Sequence, residues 1–100
     1  MNVTIQEEGN NYVVIFNGRL DTAAASKVEK EMQPLHDIED HDFILDCSQL
    51  EYISSSGLRI FLSLLKAVKP KGSHVFITGM SDTLRQIFAM TGFTNLFEFK

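Results

Sequence analysis

The chain has a single cysteine, Cys47, so it can form no internal disulfide and build no cysteine-based metal cage. A lone cysteine at the end of an apolar run is expected to behave as a small buried hydrophobe. Long hydrophobic stretches are also missing. Runs such as Ile60-Phe61-Leu62 and Leu64-Leu65 are broken by polar residues far short of a membrane span, and Met1-Asn2-Val3-Thr4 lacks a basic segment followed by an apolar one. No membrane insertion and a cytoplasmic location are expected. A basic stripe is absent too: residues 1–50 carry three basic against ten acidic side chains, and residues 51–100 carry six against three. With an acidic middle formed by Glu29, Glu31, Asp37, Glu39, Asp40 and Asp42, nothing offers the phosphate neutralisation that nucleic-acid binding needs. Lys66, Lys69 and Lys71 are the one basic concentration, and cations there complement the C-terminal end of a helix dipole.

Catalytic devices are equally scarce. His36, His41 and His74 share no helical or strand spacing with a second ligand type, so a metal site is not expected. There is no G-x-S-x-G nucleophile elbow, and the glycines at Gly72 and Gly79 have neither P-loop nor dinucleotide-fold spacing. No catalytic residue, metal or cofactor is assigned, and enzyme activity is not expected.

What the chain does have is a core and a regular alternation of elements. One hundred residues with 44% hydrophobic content suit one domain over residues 1–100. Val3-Thr4-Ile5 and Tyr12-Val13-Val14-Ile15-Phe16, separated by Glu8-Gly9-Asn10-Asn11, predict a hairpin. Ala25, Val28, Met32 and Leu35 keep helical spacing and predict a helix over 23–35, capped by Asp21 or Thr22 and closed near Pro34. The almost wholly apolar run Phe43–Cys47 predicts a short central strand buried on both faces, followed by a loop from Cys47 to Ser54. A second helix is expected from Ser55 or Ser56 to Val68, burying Leu58, Phe61, Leu62 and Leu65 and ending at Pro70 and Gly72. His74–Thr78 follows as a strand. Ser81 is then expected to cap a third helix bearing Leu84, Ile87 and Phe88, and Leu96–Phe99 could add a last short strand. Phe93, Leu96, Phe97 and Phe99 are read as core. The resulting class is α/β: a mixed sheet of four to five strands with three to four helices packed on it.

The segment Asp46 to Leu58 stands out, because three serines and a glycine lie where a strand gives way to a helix. A helix mouth presents unpaired N–H groups and a partial positive charge, so a phosphate on a serine there is favoured electrostatically. Added charge at such a place alters what a partner meets while the fold survives.

Three short motifs, in order, give the chain its resemblance to the STAS family, the domain of anti-sigma factor antagonists. Gly18-Arg19-Leu20-Asp21 resembles the family's G-x-L-D, Ile44-Leu45-Asp46-Cys47-Ser48 its strand ending in D-x-S, and Ile53-Ser54-Ser55-Ser56-Gly57-Leu58 its D-S-[ST]-G-L. The resemblance implies phosphorylation at Ser55 by a partner that is both anti-sigma factor and serine kinase, with a serine phosphatase resetting the switch. It places partner contacts at Asp21, Asp46, Ser54, Ser55, Ser56, Gly57 and Leu58. Ser54 stands where the family has aspartate, which removes a carboxylate beside the acceptor and makes Ser54 and Ser56 secondary acceptors, Ser56 being read mainly as a helix-capping hydroxyl. Gly57 is expected to allow a partner's backbone to approach closely, or to hold an unusual dihedral. A second implied role is that of a cytoplasmic subunit supporting the ATPase of a lipid ABC transporter, where no phosphorylation is needed.

Overall fold

The computed structural model describes all residues 1–100. Its strands are β1 (Asn2–Glu8), β2 (Asn11–Leu20), β3 (Asp42–Ile53), β4 (Val75–Thr78) and β5 (Glu98–Phe99). Its helices are α1 (Thr22–Met32), α2 (Ser55–Val68) and α3 (Asp82–Met90), with short 3-10 turns at Gln33–Asp37 and Lys69–Lys71. The strands lie in the order β1-β2-β3-β4-β5; the β1–β2 hairpin is antiparallel and every later pairing is parallel.

That order decides where the helices go. Each crossover from β2 to β5 steps in the same direction across the sheet, and right-handed crossovers that keep one direction put their helices on one face. Val14, Phe16, Phe43, Leu45, Val75 and Ile77 are therefore buried under α1, α2 and α3. The alternate residues Val13, Ile15, Ile44 and Phe76 are only half-buried on the other face. The expectation that Phe43–Cys47 is covered on both sides is thus corrected. An apolar run looks the same in either arrangement, and the direction of the crossovers makes the difference.

The second correction concerns β3, which is not a short strand followed by a loop. It continues to Ile53 against β2, with one extra residue on β3 after Asp46 and another after Leu50. Each such bulge resets which side chain faces the helices, so the buried positions run Phe43, Leu45, Cys47, Leu50, Ile53. This break in period is what made the segment read as a loop. Helix α1 is shorter than expected because Gln33–Asp37 tightens into a 3-10 turn around Pro34.

The core is centred on Phe61 of α2, which is fully buried. Its ring centroid lies 5.0 Å from that of Phe16, 6.4 Å from Phe88 and 6.5 Å from Phe97, so α2 is tied at one residue to the sheet, α3 and the C-terminal segment. Beyond the expected face, α2 buries Ile60, Leu64 and Val68 and leaves Leu62 half-buried, because it packs on α1 as well as on the sheet. Phe97 is core, Phe93 and Phe99 pack at its margin, and Leu96 is exposed.

Two predictions follow from this packing. Phe61→Ala should lower unfolding stability by about 3–5 kcal/mol, read from urea denaturation at constant slope. At the C-terminus, His74 Nδ1 lies 2.7 Å from Glu98 Oε2, and this bond with the Glu98 charge raises the imidazole pKa above its ordinary 6.5. The imidazolium pins β5 to β4, so the contribution is complete below about pH 6.5 and is lost as pH rises through the raised folded-state value. The Lys100 amide, which donates to the Ile77 carbonyl at 3.0 Å, should exchange more slowly at about pH 6 than at about pH 8 after intrinsic-rate correction, and His74→Gln should abolish the difference.

Candidate functional site

β2, β3 and β4 each lead at their carboxyl end into the mouth of the next helix. Asp21 caps α1 by accepting the Ala24 N–H at 2.9 Å. Ser54 caps α2, its hydroxyl accepting the Gly57 N–H at 3.2 Å, and Ser81 caps α3 by accepting the Leu84 N–H at 3.2 Å. The Ser54 N–H in turn donates to the Leu20 carbonyl at 2.8 Å, which fastens the mouth of α2 to the end of β2 beside the α1 cap. The serine triplet therefore sits at the carboxyl edge of the sheet, next to the Asp21 cap.

Within the triplet the three hydroxyls have different surroundings. Ser54 is 8% exposed and its oxygen is engaged as the N-cap, so the capping role expected of Ser56 belongs to Ser54. A serine at this position does for the helix what an aspartate would do, without the charge. Ser55, the first helical residue, is exposed, and Ser56 is half-buried.

Gly57 is buried and faces inward. A Cβ built there would come within 2.8 Å of Ile53 Cγ1 and 2.8 Å of Leu20 Cγ, so the close approach this glycine permits is between α2 and its own sheet. Leu58 is 1% exposed and belongs to the core. The expected partner contacts at Gly57 and Leu58 are corrected accordingly: both residues hold the mouth of α2 in place from beneath.

Asp46 lies in the middle of β3, roughly 20 Å of extended chain from the strand end at Ile53. Its Oδ1 accepts the Ser48 N–H at 2.9 Å and so stabilises the first bulge. Gly79, at φ 73°, lets the turn after β4 press on this bulge, since a Cβ there would lie 2.6 Å from the Ser48 nitrogen. Asp46 is thus not brought together with the serines. Cys47 is buried in β3, and burial, with the Asp46 charge beside it, pushes its thiol up to about 12, which leaves no thiolate for chemistry near neutrality. His41 and His74 are occupied by Glu7 and Glu98, and no group of three or more His, Cys, Asp or Glu side chains converges in metal-binding geometry.

The sequence reading missed a groove beside the serines. Thr22, Ala25, Ser26 and Glu29 of α1 face Ser56, Arg59, Ile60 and Ser63 of α2 across a cleft of about 370 Å³. Arg59 is exposed and takes part in no ion pair. The one signal for it in the sequence is the four-residue spacing from Ser55.

A model of the STAS domain matches residues 2–100. The chain belongs to the STAS domain family. Among curated STAS relatives, an anti-sigma-B factor antagonist of Listeria monocytogenes is 27% identical over 101 residues, covering 100% of this chain and 89% of the relative. An anti-sigma factor antagonist of Mycobacterium paratuberculosis superposes with a TM-score of 0.87 at 17% identity, covering 98% of this chain and 83% of the other. SpoIIAA from Bacillus, solved in its phosphorylated form, superposes at 0.75 with 16% identity, covering 99% and 91%. As a STAS domain the chain has the expected α/β architecture, with five strands and three helices. None of its helices is long and apolar enough to cross a membrane.

The capping and glycine assignments can be separated by substitution. Ser54→Ala should cost about 1 kcal/mol through loss of the cap, and Gly57→Ala about 1–3 kcal/mol because Leu20 and Ile53 must move aside. Paired thermal and urea unfolding checks both; a neutral Gly57→Ala would mean that α2 is free to lift from the sheet.

Proposed function

We propose that this STAS domain is an anti-sigma factor antagonist, a non-enzymatic partner switch controlled by phosphate on Ser55. The observation that carries the reading is the difference within the triplet: Ser54 is sealed in the cap, Ser56 is half-buried, and Ser55 is exposed at the first position of a fourteen-residue helix. Unphosphorylated, the surface around Ser55, Ser56 and Asp21 binds a serine-kinase anti-sigma factor and thereby releases a sigma factor, regulating transcription from the cytoplasm.

The partner brings the ATP and the catalytic machinery. Ser55 Oγ bonds to the γ-phosphorus, the bond from that phosphorus to the leaving ADP oxygen breaks, and the serine proton passes to a base on the kinase. A serine phosphatase reverses the change by hydrolysis. The phosphate brings roughly two negative charges, and the dipole of α2 offsets them locally. The fold therefore tolerates the modification while the binding surface changes sign. Ser54, Gly57 and Leu58 contribute by holding that surface still; Asp46 contributes at a distance, by stabilising the first bulge of β3.

One observation favours a second role. With Ser54 in place of the family's aspartate, the site lacks a carboxylate beside the acceptor, which suits a subunit that supports a lipid ABC transporter ATPase without being phosphorylated. Wild type, Ser55→Ala and Ser55→Asp used as baits in source-cell extract distinguish the two. The switch predicts a kinase-like protein retained by wild type and Ser55→Ala and bound about tenfold more weakly or worse by Ser55→Asp, with phosphate mapped to Ser55 by mass spectrometry. A transporter ATPase retained equally by all three baits would overturn it in favour of the second role.

A further inference from the structure

We infer that Arg59 is a phosphate clamp for Ser55, pairing with the phosphoryl group from one turn further along α2. The inference rests on the reading of Ser55 as the acceptor and adds to it the residue that receives the product. Ser55 and Arg59 are four positions apart on one helix, so their side chains rise from the same face with Cβ atoms roughly 6 Å apart. Side chains on a helix lean toward its N-terminus, and a long one covers the turn before its own Cα. For Arg59 that turn is the one that begins with Ser55. Both residues are exposed, so neither the phosphate nor the guanidinium has to leave the core to meet the other.

The guanidinium is also free to move. No carboxylate lies within ion-pair distance of Arg59, and the first turn of α2 contains no acidic residue to compete for it. Arg19, the one cation of β2, is engaged 4.7 Å above the Tyr52 ring. In the unmodified protein Arg59 lines the groove between α1 and α2 together with Glu29. A phosphate on Ser55 offers it a doubly charged, bidentate acceptor where it has no ion-pair partner. One modification therefore makes two changes at the partner-facing surface: it adds negative charge at the mouth of α2 and withdraws a positive charge from the groove beside it.

The test places phosphoserine at position 55 of the full chain during translation and follows its second ionisation by phosphorus NMR. In the wild-type chain the phosphate should bind its second proton about tenfold more weakly than in an unstructured peptide of the same local sequence. Arg59→Gln should abolish at least half of that weakening, and Arg59→Lys should restore part of it. The helix mouth is common to all three proteins, so the difference belongs to residue 59. Equal titrations in wild type and Arg59→Gln, with unfolding midpoints of the unphosphorylated proteins unchanged, would overturn the clamp. Because the phosphate is installed directly, this outcome is independent of whether cells phosphorylate Ser55. Absence of phosphate from Ser55 in cells would defeat the switch without altering the titration, and equal titrations would defeat the clamp while leaving Ser55 as acceptor.

Discussion

Whatever Ser55 does depends on the contact between the first turn of α2 and the ends of β2 and β3. Gly57 meets Leu20 and Ile53 there with no room for a single added carbon, and the Ser54 amide is bonded to the Leu20 carbonyl at 2.8 Å. These two constraints fix the height of the first turn of the helix above the sheet. The Ser54 hydroxyl then satisfies the Gly57 N–H, one of the orphan donors of the first turn, so the mouth is closed from within and Ser55 is its first residue open to solvent. The surface around Ser55 is therefore held by contacts beneath it that leave little slack.

The rest of the fold supplies that rigidity asymmetrically. All three helices lie on one side of the sheet, and the Phe61 cluster binds α2 to the sheet, α3 and the C-terminal segment together. Long parallel pairing of β2 with β3 carries the load beneath the mouth of α2, where both strands reach past the end of β4. The two bulges in β3 let it follow the twist of β2 over that distance while keeping Leu50 and Ile53 turned toward the helices. Asp46, although distant from the serines, serves the same end by stabilising the first bulge.

Electrostatically, the mouth of α2 is a place where negative charge is favourable. The positive end of α2 faces the exposed Ser55, and the unpaired Arg59 stands one turn behind it. With a serine rather than a carboxylate at the cap, the mouth carries no negative charge of its own.

Composition and periodicity were enough to read the hairpin and the three helices, because these follow from local rules of alternation, capping and turn chemistry. The motif at Ser55 was legible for the same reason: a hydroxyl before a helical apolar pattern marks a helix mouth wherever it falls. Local rules could not say that β3 runs on through Ser48 and Glu51, since a bulge shifts the very alternation by which a strand is recognised. Nor could they assign the cap to Ser54 rather than Ser56, turn Gly57 and Leu58 inward, leave Ile44 and Phe76 uncovered, or bring Glu29 across from Arg59. Those facts depend on which elements lie side by side, and that was decided only when the direction of the crossovers and the fit of α2 against Leu20 and Ile53 were set in three dimensions.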